Sequence, residues 1–203
     1  MDFGTVLRNL STGDGAIAAI INMAADLTLV LDSLFIIFKI IGALVFIWGV
    51  WHLCTFKKPN ANTMGGAVTA GGISLKLIFG SVIYQFTFWM EQLTQSVWSN
   101  ASPAMPLGYV EMAKANTDVN PIGAALLAVL AILTIIGWIT SFAALYGFSS
   151  LGDVQDKHAA IWKNIWKLAG GLILINSMLF ASDVAASFLN LSGPVFTTDS
   201  FFK

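Results

Sequence analysis

Residues 122–151 contain no Asp, Glu, Lys, Arg or His. A bilayer's hydrocarbon core is crossed by a helix of roughly 20 apolar residues, so this run is long enough to cross. Few other places are open to it: only 10% of the chain is charged and 57% is hydrophobic, with mean hydropathy +0.78. Water-soluble domains carry about 25% charged residues. The excess apolar surface therefore calls for lipid as its solvent. Net charge is −1, with no lysine-arginine cluster. Direct nucleic-acid binding is not expected, because phosphate recognition needs concentrated positive charge. Cys54 is the single cysteine, which excludes an intrachain disulfide and a thiolate metal site. Residues 1–15 hold Asp2, Arg8 and Asp14 and lack the pattern of a cleavable signal, so insertion is expected to rest on the internal apolar segments.

The apolar runs come in pairs. Ile40-Ile41-Gly42 is followed by Leu75-Lys76-Leu77 and Gly80; Ile135-Ile136-Gly137 is followed by Trp166-Lys167-Leu168 and Gly170-Gly171. Gly42 and Gly80 are 38 residues apart, and Gly137 and Gly171 are 34 apart. That spacing is the mark of an internal repeat. The expected fold is an all-α integral membrane protein of about four transmembrane helices. They form two tandem helical hairpins and follow an amphipathic N-terminal helix.

Residues 1–33 read as a leader and an amphipathic helix, with Asn22, Asp26 and Ser33 on one face and Asp32 near it. Two carboxylates make a lipid-buried span expensive there. That face could lie on the interface, pack on partner subunits or be solvated. The first hairpin occupies residues 34–98, with spans at 34–56 and 73–98. Trp48, Trp51 and His52 precede Lys57-Lys58-Pro59, an aromatic belt followed by lysines. Residues 60–72 hold two Gly-Gly pairs, which suit a flexible turn or a close-packed helix start. They lack the Gly-Lys-Ser/Thr ending of a phosphate loop.

Residues 99–120 form the linker, with Pro103, Pro106 and Gly108 and a short surface helix expected at 109–116. The second hairpin occupies residues 121–192, with spans at 121–148 and 169–191. Pro121 suits a first helical position. Between these spans, residues 149–167 read as a polar loop in which an interfacial helix interleaves Trp162 and Trp166 with Lys163 and Lys167. Residues 193–203 form a tail. The bends inside the hairpins hold Lys57, Lys58 and Lys76, then Lys157, Lys163 and Lys167, against one Lys or Arg each in leader, linker and tail. The lysine excess places both bends in the cytoplasm and the termini in the periplasm. The two hairpins then share one orientation, which disfavours an inverted-repeat transporter.

The candidate polar and packing positions are Asp183, Asn176, Lys39, Lys76, Gly80, Gly170 and Gly171. Asp183 is either an intramembrane proton or ion site or an interfacial residue near Gly193-Pro194. Asn176 suits interhelical hydrogen bonding, worth on the order of 0.6 kcal/mol. Lys39 can snorkel to headgroups. His52 and His158 have no second histidine at ligand spacing, so neither a metal nor another cofactor is expected. No serine lies in a hydrolase motif. An aspartyl intramembrane protease would need two membrane aspartates. The chain is therefore not expected to be an enzyme.

In layout, the chain resembles the small polytopic inner-membrane proteins of type IVB secretion and IncI-type conjugation systems, IcmC/DotE- or TraQ-like. The resemblance is carried by Lys76-Leu77-Ile78-Phe79-Gly80 and Trp166-Lys167-Leu168-Ala169-Gly170-Gly171 after the Ile-Ile-Gly spans. It implies a structural or channel-forming subunit of a multi-protein secretion complex in the bacterial inner membrane. Its partners would be the bilayer and other subunits, as a homo- or hetero-oligomer. Two alternatives stand beside it: a small transporter or ion channel with Asp183 and Asn176 near the permeation path, and a self-assembling pilin-like or hole-forming protein.

Overall fold

The structure is a computed structural model that describes residues 13–56, 69–99, 101–117, 120–153 and 156–189. It is an all-α membrane protein, with no strand among the described residues. The elements are α1 (Gly13–Thr55), α2 (Ala70–Tyr84), α3 (Phe86–Val97), α4 (Pro106–Asn116), α5 (Pro121–Ser149), a 3-10 turn (Leu151–Asp153), α6 (Lys157–Ile175) and α7 (Ser177–Leu189). Two of these, α1 and α5, are long and apolar enough to cross a membrane by themselves; the count rises to four if α2–α3 and α6–α7 each form one bent span.

Local chemistry sets the helix starts. Thr69 caps α2, its hydroxyl accepting from the Gly72 N–H at 3.1 Å. Asn120 caps α5 through the Gly123 N–H at 2.9 Å, with Pro121 in the first turn, where its missing N–H costs nothing. Asp156 caps α6 through the Ala159 N–H at 3.1 Å. That cap starts α6 at Lys157, so the second half of the expected polar loop, with Trp162 and Trp166, belongs to the same helix as the apolar stretch after it.

Two expected boundaries change. No break separates residues 16–33 from the first span: α1 runs through 43 residues. A helix lying flat on the interface would need such a break. At 1.5 Å per residue α1 is about 64 Å long, more than twice the roughly 30 Å core. Even tilted by about 40°, a core of that thickness holds only about 26 residues, leaving about 17 of them outside. The exposed carboxylates Asp26 and Asp32 mark the N-terminal half as the part better suited to water. The inward line of α1 runs Ile21, Ala24, Thr28, Leu31, Phe38, Gly42, Gly49. Steps of three, four or seven residues are those by which a helix returns close to the same face. Thr28 suits this line because its hydroxyl donates to the Ala24 carbonyl at 2.8 Å.

The second change is that the expected spans at 73–98 and 169–191 are not straight. The α2–α3 pair bends by 88° and the α6–α7 pair by 87°.

The chain divides into two compact units. One comprises Met1–Asp32, Pro103–Gly137 and Ile173–Lys203; the other comprises Ser33–Ser102 and Trp138–Leu172. The core of the first unit is built on alanine. Ala24, Ala113, Ala124, Ala128 and Ala131 pack with Ile21, Val110 and Leu127, and small side chains let helices approach closely. Helix α4 is not a simple surface helix: Tyr109, Val110 and Ala113 are buried in this core. Burial raises the Tyr109 phenol above its usual pKa, since the charged form would lose water.

The second unit has an aromatic core. Phe38 stacks on Phe142 with centroids 3.8 Å apart. Trp138 meets Phe35 and Phe86 edge-on at 5.1 and 5.5 Å. Phe79 stacks on Phe148 at 5.2 Å. Edge-to-face contacts use the ring quadrupole and add about 0.5–1.5 kcal/mol per pair beyond area burial.

Candidate functional site

Within the second unit, glycines bring α1 and α2 into backbone contact. A methyl group added at Gly80 would lie 2.7 Å from the Phe46 backbone nitrogen. At Gly42 it would collide with the Tyr84 backbone, and at Gly49 it would meet the Leu77 side chain at 3.0 Å. The contacts climb α1 from 42 to 46 to 49 as they descend α2 from 84 to 80 to 77. That is the register of an antiparallel pair, so α2 runs along α1.

At the other end of α2 a second glycine contact holds the start of the helix against the turn after α5. Gly72 and Gly152 meet backbone to backbone. One helical turn on, the Lys76 ammonium pairs with Asp153 at 2.9 and 3.1 Å. Lys76 is therefore an ion-paired residue and not an unassigned cation. The Lys76 side chain is 12% exposed and that of Asp153 is 51% exposed. Water screens the pair, and a Lys76→Met/Asp153→Asn double-mutant cycle should give a coupling of about 0.5 kcal/mol that shrinks with salt. A coupling that salt leaves unchanged would contradict a screened pair. Near this end Trp48 Nε1 donates to His52 Nε2 at 2.7 Å, and Trp162 Nε1 donates to His158 Nε2 at 3.4 Å. Both histidines are thus engaged by indoles on their own helices. No group of three metal-ligating side chains occurs among the described residues.

The bends fall at Gln85 and Asn176. Lys76, Gly80 and Gln85 are spaced by four and five residues, as are Lys167, Gly171 and Asn176. The repeated feature is thus a lysine, a glycine and a carboxamide-bearing corner in fixed register. Gln85 was not among the sequence candidates; its alignment with Asn176 in this register was the available signal. Asn176 is buried, at 1% exposure, and its carbonyl accepts from the Phe180 N–H at 2.9 Å. Gln85 is exposed, its N–H turned back to the Ser81 carbonyl at 3.2 Å.

The remaining candidates are dispersed. Lys39 is exposed on α1, and Asp183 is exposed on α7, seven residues past the Asn176 corner. Gly171 is buried; a methyl group at Gly170 would meet nothing within 4 Å. The seven candidates are divided between the two units. Lys39, Lys76 and Gly80 lie in the second unit with Gly170 and Gly171, whereas Asn176 and Asp183 belong to the first.

No protein-family model, curated protein or solved structure matches this chain. The fold alone defines its class: a polytopic helical membrane protein with close glycine-mediated helix contacts and two sharply bent helix pairs.

Proposed function

We propose that the chain is a structural, assembly-forming subunit of a multi-protein complex in a bacterial inner membrane, of the type IV secretion or conjugation kind. The observation that carries this reading is the openness of α1. Met23, Leu29 and Val30 are each at least half exposed in the N-terminal half of α1, beside Asn22 and Asp26. Where α1 outruns the bilayer, lipid cannot cover these side chains, and a neighbouring subunit can. The Lys76–Asp153 pair supports the reading in which both lysine-bearing bends share the cytoplasmic side.

The test is photo-crosslinking from positions 23, 29 and 30 in native membranes, with deletion of the gene scored for DNA or effector transfer. Crosslinks to other membrane subunits and lost transfer are expected. A monomer without crosslinks, together with intact transfer, overturns the proposal.

A second reading has one observation in its favour. Discontinuous helices line binding sites in transporters, and Asn176 sits at such a corner. Asn176→Ala should then abolish ion flux in proteoliposomes, while unchanged flux, or none from the wild type, removes this reading. Asp183→Asn is expected to leave flux unchanged, because Asp183 lies on the exposed side of α7.

A further inference from the structure

We infer that α3 does not continue the membrane crossing begun by α2 but lies flat in the headgroup layer of the leaflet opposite the lysine-bearing bends.

The direction of α2 is fixed by its neighbour. Three glycine-mediated contacts in antiparallel register hold it along α1, whose residues 40–51 beside it carry no charge. Helix α2 therefore follows the crossing direction. An 88° bend at Gln85 then turns α3 into the plane of the membrane. The same alignment argues against a re-entrant V, which would need both arms inclined to the membrane normal.

Lengths agree with this seating. The 15 residues of α2 rise about 22 Å, so the Gln85 corner comes within about 8 Å of the far edge of a roughly 30 Å core, a shortfall that local thinning of the bilayer closes. Interfacial amphipathic helices bury their apolar faces by about 5–10 Å. The 12 residues of α3, about 18 Å long, could not cross by themselves.

The side chains are sorted accordingly. Phe86, Met90 and Thr94 are buried along one face. Phe86 anchors the corner in the aromatic core, with Phe38, Trp138 and Phe142 at 5.6, 5.5 and 6.0 Å. Gln92, Gln95 and Ser96 are exposed on the opposite face, and Trp89 is exposed beside the corner, as an indole at the headgroup level should be.

The experiment is spin labelling at Phe88→Cys, Gln92→Cys, Gln95→Cys and Val97→Cys in a Cys54→Ser background, in phosphatidylglycerol/phosphatidylethanolamine nanodiscs. Depth is read from relaxation by oxygen and by a nickel chelate. All four positions are exposed, so labelling should not disturb folding. Equal depths near one headgroup boundary are expected at 88 and 95, which lie seven residues apart on one face of α3. A depth difference approaching the roughly 10 Å that seven helical residues span would mean a crossing or a re-entrant helix and overturn the inference. Equal depths with full nickel access would place α3 in water and overturn it too. Labels at Leu44 and Ile47, exposed and level with the body of α2, provide the control: nickel access there would mean that α1 is not in lipid, a failure of the membrane reading itself.

Discussion

Gly80→Leu should prevent the first hairpin from closing, and Gly80→Ala should already cost about 2 kcal/mol. The added Cβ would stand 2.7 Å from a backbone nitrogen of α1 and 2.9 Å from the adjoining Phe46 Cα. Backbone atoms in a helix have no rotamer by which to step aside, so the helices must part. Parting them gives up the short-range dispersion contacts that hold helices together in lipid, where no hydrophobic force does so. Gly42→Ala should cost a similar amount against the Tyr84 backbone. The double variant should cost less than the sum, because both act on one interface. Gly170→Ala is the opposite case. Its Cβ meets nothing within 4 Å, and replacing a mid-helix glycine should stabilise the chain by about 0.5–1 kcal/mol. Reversible SDS titration in mixed micelles, followed by tryptophan fluorescence, measures all five. Equal effects at Gly80 and Gly170 would contradict the close α1–α2 contact.

Trp138→Ala should cost about 3 kcal/mol by the same measurement. Trp138 is fully buried and meets Phe35 and Phe86 edge-on. In lipid the indole would lose little by leaving the core for hydrocarbon, so the transfer component of a core truncation largely falls away. What remains is the cavity and the lost ring contacts, which keep the expected cost at the lower end for a Trp→Ala change. Trp138→Phe should recover most of it. Trp166→Ala should be close to neutral, since Trp166 is 71% exposed. If Trp138→Ala were as mild as Trp166→Ala, the aromatic cluster would not be the core of its unit.

Membrane class and helical content were legible in the sequence, because both follow from composition and from uncharged runs. Residues 122–151 carry no charged side chain to face water, and the few charges elsewhere cannot cover so much apolar surface. The lysine–glycine repeat was legible too, and the structure carries it one step further, to the corners at Gln85 and Asn176. The roles of the individual candidates were less so. Gly80 and Gly170 look alike in sequence, both glycines following a lysine in an apolar run, yet one is pressed against a neighbouring backbone and the other faces open space. Lys76 read as a residue near the membrane edge, and its partner Asp153 lies 77 positions away.

What the sequence by itself determined is the solvent this protein needs and the helices it makes there, since hydropathy and backbone hydrogen bonding in lipid act locally. What only the tertiary structure decided is where those helices bend and which glycines touch. A bend near 90° has no proline to announce it here: Tyr84-Gln85-Phe86 and Ile175-Asn176-Ser177 contain none. Its direction is set by what anchors each arm. For α2–α3 those anchors are the α1 glycines on one side of the corner and the ring cluster around Phe86 on the other, residues that come together only when distant segments pack.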